Sequence, residues 1–545
     1  MSFLQLVRRE MHGSLPKLVF MSGLGGISNA SILAAINAGV QDATNGQKPG
    51  LWAATLFLIA LFLFMKTQQY VTITATAEIE AIIHKVRVRL MDTIRRSELL
   101  EMERIGRARI VAAVTSDSAI LTQASNMLCF TVQGAVLVFF VGLYVAYLSL
   151  AAFAMTFVIV FGAGVIFHYK NKRLSAQKGE SAAWERRLFD RLTDFLDGFK
   201  EVRLNAARSA DLFDDAVEVS KTAANIKIRT QAETFKMIVT SQISMYVLLG
   251  AVVFVAPNLS DTVGPSIAKT TTALLFVVGA CFGLVQSIPI LLNANAAADR
   301  IVRLEAALQA AVTFTEPREI GAPKRFDRIE MREIVFRYVD RFSDTSFKIG
   351  PIDFTLQSGE LVFITGGNGS GKSTFLRVFA GLYPPDSGEI ILDGEHINDA
   401  TRDDYRALMS AIFFDYHLFQ RLYGLPDADP AEIGRLLRLF RLADKTSLVN
   451  GEFRTLDLSG GQRRRLALIV SWLEKRPIML LDEWTAEQDP EFRRKFYDEL
   501  LPEMMQAGAT VVVITHDDRY LDELHLPARR IRMDEGRIVE QRSMG

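Results

Sequence analysis

Six stretches in the first part of the chain are apolar for longer than a soluble core requires: Leu18–Val40, Leu51–Met65, about Met127–Leu148, about Leu150–Tyr169, about Met237–Ala256 and about Thr271–Leu292. Several approach the ~20 apolar residues that cross a bilayer as a helix. Between the second and third, Glu78–Asp117 alternates apolar and charged positions at three-to-four spacing, and Ser181–Glu218 does the same between the fourth and fifth. That period is helical, so membrane helices are expected to continue beyond the bilayer and turn near Leu99–Arg107 and Asp197–Arg208. Asn293–Leu308 reads as an amphipathic exit helix, Pro289 is expected to kink the sixth span, and Pro317, Gly321 and Pro323 mark a linker. The expected domains are therefore 1–315, with six spans, and 316–545.

After the linker the pattern shortens. Ile329–Tyr338 and Ile352–Leu356 read as strands, and continuous apolar runs at Leu361–Ile364, Ile478–Leu481 and Thr510–Ile514 read as buried strands of a parallel sheet.

Charge orients the first domain. Gln41–Gly50 and Pro257–Thr270 carry a single lysine each, Lys48 and Lys269, whereas Lys66–Asp117 carries Lys85, Arg87, Arg89, Arg95, Arg96, Arg104, Arg107 and Arg109. The excess of Lys and Arg places the two long connections and both termini in the cytoplasm. Arg8, Arg9 and Lys17 before the first span carry no small-residue cleavage site after them, so an uncleaved span is expected there. Asn29, Asn37, Gln133, Gln242 and Gln286 lie in or near spans, where such side chains bond between helices or line a pathway.

Composition adds exclusions. Lys+Arg and Asp+Glu balance at 62 each, against a nucleic-acid partner. The two cysteines, Cys129 and Cys281, sit in apolar runs and build neither a disulfide framework nor a zinc site.

The chemistry is concentrated in the second domain. Gly366-Gly367-Asn368-Gly369-Ser370-Gly371-Lys372-Ser373-Thr374 fits the phosphate-loop pattern between a strand and a helix. Its backbone N–H groups would cradle an anion at a helix N-terminus. Lys372 would reach the β- and γ-phosphates, and Ser373 would hold Mg²⁺. Asp482 and Glu483 end a buried strand, as a second Mg²⁺ contact and as the group that polarises the attacking water. His516 follows another strand at its C-terminal end, where ligands sit in open parallel sheets. Tyr338 is an aromatic placed to stack on a nucleobase, or an ordinary strand residue.

With Leu458-Ser459-Gly460-Gly461-Gln462 and Asp489 added, the order of motifs closely resembles the ATP-binding-cassette family over essentially the whole chain. The resemblance implies an all-α six-helix transmembrane domain with long cytoplasmic helical extensions, followed by an α/β P-loop ATPase domain: a type IV half-exporter. It also implies that two cassettes sandwich two ATP molecules, with Ser459, Gly460, Gly461 and Gln462 of one subunit capping the nucleotide held at Lys372 of the other. A homodimer follows. The helix tips would dock on the cassettes and convert closure into outward opening.

Two departures narrow the family. Phe414 stands where cassettes usually carry a glutamine, with Asp415 beside it as a candidate Mg²⁺ or water contact. Asp482-Glu-Trp-Thr-Ala-Glu-Gln-Asp-Pro-Glu-Phe-Arg-Arg494 resembles the cyclic-peptide and siderophore-peptide exporter group, which includes transporters for pyoverdine-type siderophores, syringomycin-type lipopeptides and a lasso-peptide microcin. The implied function is ATP-driven export of such peptides across a bacterial inner membrane by alternating access. A lipid or drug flippase of the same build and a weakly hydrolysing sensor are the alternatives.

Overall fold

The computed structural model describes residues 3–10, 15–44, 46, 48, 50–255, 267–312, 325–339 and 346–544. The linker expected at Pro317, Gly321 and Pro323 lies outside them, as does most of the loop expected over Pro257–Thr270. The chain forms two compact units: Met1–Met91 with Ala108–Ala306, and Asp92–Arg107 with Ala307–Gly545.

The first unit is helical. Among the described residues, five helices are long and apolar enough to cross a membrane: Pro16–Ala43, Leu51–Arg95, Phe130–Leu148, Ala206–Val255 and Ile267–Ala310. The helix Leu150–Asp197 opens on a shorter apolar segment, Leu150–Ile166. The sixth span and the expected exit helix are one element, because the helix Ile267–Ala310 continues through Pro289.

Large apolar side chains point outward along these helices; Leu58, Ile59, Phe62, Phe139, Phe157, Val158 and Phe161 are all exposed. That is the arrangement lipid favours, since hydrocarbon solvates such groups and helices then associate by close packing. Leu33, Val141, Val145, Ala152, Leu248, Val252, Ala273 and Leu274 belong to one buried cluster between five of the helices. Gly26 permits one close approach, because a Cβ there would run into Val136. Asp117 and Arg300 form an ion pair, and Arg89 bridges Glu10 and Glu305.

Neither long connection is a continuous helix. The first breaks at Arg96–Glu98, resumes as the short helix Leu99–Ile105, and turns again at Gly106, whose φ of 87° a side chain would resist. The second breaks at Gly198, gives the short helix Phe199–Leu204, and restarts at Asn205, which caps Arg208 N–H at 3.1 Å. Three-to-four spacing persists through such breaks, so periodicity alone hides them.

In the second unit a six-stranded sheet has the order Arg537–Met544, Ala528–Asp534, Leu361–Thr365, Thr510–Ile514, Ile478–Asp482, Met409–Ile412. Leu361–Thr365, Thr510–Ile514 and Ile478–Asp482 are buried at every position. The pleat divides them between two cores. Phe363, Leu481 and Val513 face one, with helix residues Leu466 and Ile469; Ile364, Leu480 and Val512 face the other, with Phe375 and Phe379. A four-stranded antiparallel sheet covers the second core, and its strands Arg328–Val339 and Ser346–Gln357 are longer than the sequence pattern shows.

Candidate functional site

Three parallel strands deliver the site at their C-terminal ends. Leu361–Thr365 leads into the loop Gly366–Gly371 and the helix Lys372–Phe379; Ile478–Asp482 leads into Glu483; Thr510–Ile514 leads into His516. Glycines at 366, 369 and 371 take φ values of 149°, 78° and 94°, which lets the loop fold back over the helix start. The fit is tight: a Cβ at Gly366 would run into Met533 O, and one at Gly371 would lie 2.8 Å from Ile349 Cγ2.

The Lys372 ammonium is buried and donates to Gly366 O and Gly367 O, each at 3.0 Å. Burial lowers its pKa, opposed by the charges of Glu483 and Asp482. Ser373 Oγ donates to Asp482 Oδ1 at 3.2 Å. Asp482 is 1% exposed, and burial raises its pKa against the hydrogen bond from Ser373. Among the described residues, Asp482 Oδ2 and the buried Ser370 Oγ have no hydrogen-bond partner. An unpartnered carboxylate oxygen next to a hydroxyl suits a hard cation.

A cavity of about 320 Å³ lies over the loop, lined by Phe347, Asn368, Gly369, Ser370, Gly371, Lys372, Ser373, Thr374 and Glu483. Its donors and its one buried lysine fit a nucleotide's phosphates. Glu483 has φ 50°, and its Oε1 lies 3.2 Å from His516 Nε2. His516 borders a second cavity of about 480 Å³, which Gly366 and Gly367 of the same loop also line.

Tyr338 stands opposite Phe347 in the register of its strand pair, and Phe347 is the aromatic that lines the phosphate-loop cavity. Sequence reasoning missed Phe347. The only sequence signal for it is its place just ahead of the apolar strand pattern that leads to the loop.

The signature residues form a separate station. Ser459 and Gln462 close a capping box at the start of the helix Gly460–Leu473, with Gln462 N–H to Ser459 Oγ at 3.4 Å and Ser459 N–H to Gln462 Oε1 at 3.1 Å. Ser459, Gly460, Gly461 and Gln462 do not line the phosphate-loop cavity. Asp489 caps the helix Pro490–Lys495 through Phe492 N–H at 2.8 Å and is paired with Arg465, whose guanidinium lies 3.6 Å from the centre of the Phe492 ring. The neighbouring Gln488 amide donates to Gly461 O at 3.1 Å. Buried Arg464 donates to the Glu483 carbonyl and pairs with Glu487 at 3.2 Å, while Trp484 Nε1 donates to Arg464 O at 2.9 Å. The signature helix and the segment Glu483–Asp489 are thus clamped together.

Asp415, expected as a Mg²⁺ or water contact, pairs with Arg377 at 3.1 Å. Its side chain is 67% exposed and lines neither cavity. Phe414 places its ring 5.2 Å from the Arg464 guanidinium.

Residues 349–486 match the family model described as ABC transporter. The chain is 32% identical to the ATP-binding protein SyrD of Pseudomonas syringae pv. syringae, over 98% of this chain and 96% of that protein. It is 24% identical to the ATP-dependent lipid A-core flippase of Paraburkholderia xenovorans, over 90% and 83% of the two chains. Among solved structures, a bacterial Atm1-family ABC exporter with ATP bound has the same fold, with TM-score 0.76 at 19% identity over 98% of this chain and 95% of that one.

Proposed function

Because this chain belongs to the ABC transporter family and is a half-exporter of the type IV arrangement, we propose that its ATPase drives cyclic or siderophore-type peptides out across a bacterial inner membrane by alternating access. It is a multi-pass membrane protein that couples ATP hydrolysis to transport; the cargo class, the homodimer and the cytoplasmic placement of both termini are our reading. The observation that carries it is the separation of the signature from the phosphate-loop cavity. A single chain presents two half-sites, and a second copy related by a two-fold axis supplies the missing half of each.

In this reading the loop Gly366–Thr374 wraps the phosphates, Lys372 exchanges its loop carbonyls for phosphate oxygens, and an aromatic at Phe347 or Tyr338 meets the base. Ser373 and Asp482 are the residues that would hold Mg²⁺, which supplies charge neutralisation across the β- and γ-phosphates when bound. Glu483 orients the attacking water and takes its proton as the new O–P bond forms and the bridging bond to the γ-phosphorus breaks, releasing ADP and phosphate. His516 holds the Glu483 carboxylate from the adjacent strand. Ser459, Gly460 and Gly461 of a second copy complete the cap. The short helices Leu99–Ile105 and Phe199–Leu204 are the docking elements.

The peptide assignment is supported by the Asp482–Arg494 motif and by near full-length similarity to SyrD. Similarity to lipid A-core flippases favours lipid as the second reading. Inside-out vesicles supplied with ATP from the outside separate the two. Accumulation of a fluorescent cyclic peptide, abolished by Glu483→Gln, supports peptide export. Transfer of labelled lipid between leaflets with no peptide accumulation overturns it.

A further inference from the structure

The last two strands of the six-stranded sheet carry three arginines beside the start of the phosphate loop. Ala528–Asp534 runs parallel to Leu361–Thr365, with Arg532 opposite Thr365. Arg537–Met544 returns antiparallel to it, with Arg542 opposite Arg530 and Glu540 opposite Arg532. Residues two apart on a strand, and residues directly opposite on an antiparallel pair, share a face of the sheet. Arg530, Arg532 and Arg542 therefore stand together, and all three line the cavity of about 480 Å³ that His516 borders. Arg530 is engaged: it pairs with Asp518 and donates to Thr365 Oγ1 at 3.3 Å. Among the described residues, exposed Arg532 and Arg542 have neither an ion pair nor a side-chain hydrogen bond. Asp522 and Glu540 line the same cavity without closing on either arginine.

The inner wall of this cavity is part of the reaction site. Gly366 and Gly367 line it, and so does His516, whose Nε2 lies 3.2 Å from Glu483 Oε1. Glu483 in turn lines the phosphate-loop cavity. A single side-chain contact thus stands between the place where the γ-phosphate is cleaved and a polar cavity with two unpaired guanidinium groups. In the shared-site reading above, Ser459 of a second copy covers the γ-phosphate from the front, and ADP still fills the loop behind it. The cleaved phosphate then leaves past His516.

We propose that this second cavity is the exit for orthophosphate, and that Arg532 and Arg542 draw the anion out between Gly367 and His516. The proposal rests on the shared-site reading and adds the step that follows cleavage. A guanidinium presents paired N–H groups that match phosphate oxygens. Cations lining a cleft also focus a field that raises the rate at which an anion enters it. The carboxylates of Asp518, Asp522 and Glu540 keep the hold weak, because passage needs a stop that an ion can both enter and leave. Bond cleavage itself uses neither arginine.

The test uses the full-length protein in nanodiscs of phosphatidylethanolamine and phosphatidylglycerol. Orthovanadate, a phosphate mimic that enters by the reverse route, is the probe. The double variant Arg532→Gln with Arg542→Gln changes two exposed side chains and leaves the phosphate loop intact. With Mg²⁺ and ADP present, the onset of orthovanadate inhibition should slow about ten-fold, the lower end of what a focused field contributes to an on-rate. Inhibition should still reach its wild-type extent, and the rate of ATP cleavage in a single turnover should stay at the wild-type level. Arg532→Lys with Arg542→Lys keeps the charge and should restore most of the onset rate. Wild-type onset in the glutamine variant overturns the exit. So does a slow onset that lysine fails to restore, which marks a structural role, or a fall in cleavage that matches the fall in onset. Onset rates read the arginines alone, so failure here leaves the shared site standing. That reading falls instead if mixed protomers of Lys372→Ala and Ser459→Arg trap no nucleotide.

Discussion

His516 Nε2 and Glu483 Oε1 lie 3.2 Å apart because their strands are hydrogen-bonded neighbours, Ile514 standing opposite Asp482. Each side chain leaves the sheet just past its C-terminal edge, where the backbone turns and the phosphate loop begins. If Glu483 is the group that takes the water's proton, Glu483→Gln removes the base but preserves size and the contact to His516. ATP turnover should fall at least about 100-fold, the usual scale of a lost general base, with nucleotide affinity unchanged or tighter. Wild-type turnover in that variant would remove Glu483 from its role.

Gly366 tests the loop's geometry separately from its chemistry. Its φ of 149° and the Met533 carbonyl behind it leave no room for a Cβ. Gly366→Ala must push the loop away from the neighbouring strand and misplace the Gly366 and Gly367 carbonyls that hold Lys372. Binding of a fluorescent ATP analogue should be lost while far-UV circular dichroism stays at the wild-type level. Retained affinity would mean that the cradle tolerates a shift the structure does not allow.

Phe347 and Tyr338 compete for the base. Phe347 borders the cavity and Tyr338 is its cross-strand partner, so truncating Phe347 should be the more damaging change. Stacking of a base on an aromatic is worth about 1–3 kcal/mol, so Phe347→Ala should raise KM for ATP roughly ten-fold or more with little change in kcat. A larger rise in Tyr338→Ala than in Phe347→Ala reverses the assignment.

Asp489 serves a structural role that can be isolated. It caps the helix Pro490–Lys495, and the Phe492 amide, followed by Arg465, holds its carboxyl below the usual carboxylate range. A lowered folded-state pKa contributes stability above the unfolded value and loses it as pH falls through the folded one. Asp489→Ala should cost about 1 kcal/mol of stability at neutral pH, visible as an earlier thermal transition, and Asp489→Asn should recover part of it as a neutral cap. Equal losses in both variants would show that the charge toward Arg465, and not the cap, is what counts.

Local pattern made much of this site legible. Consecutive glycines before Lys372-Ser373, an apolar strand ending in Asp482-Glu483, and His516 after Thr510–Ile514 are written in order along the chain, and the parallel sheet brings their ends together. What stayed hidden depends on pairing between distant segments. Phe347 reaches the cavity only through the register of Ser346–Gln357 on Arg328–Val339. Arg464 reads as one of three arginines after the signature, and only its burial against Glu483 and Trp484 distinguishes it. The ion pair that Asp415, next to the unusual Phe414, makes with Arg377 joins positions 38 apart, which local pattern does not announce. The breaks around Leu99–Ile105 and Phe199–Leu204 fall where a helical period continues on both sides.

The strongest consequence of the half-site reading concerns mixed dimers. If each nucleotide lies between Lys372 of one copy and Ser459 of the other, Lys372→Ala and Ser459→Arg each spoil both sites of a homodimer. In a dimer with one protomer of each kind, both lesions fall on the same site, and the other site pairs an intact loop with an intact signature. Made in a Glu483→Gln background so that bound ATP persists, either parent should retain no trapped nucleotide. Random pairing of equal amounts gives half mixed dimers with one good site each, so co-expressed chains should hold roughly half an ATP per dimer. A site completed within one chain would instead be dead in every combination, because each protomer carries one lesion. Trapped nucleotide that fails to rise above the parents on mixing would therefore reject the shared site, and with it the two-fold dimer on which the export cycle depends.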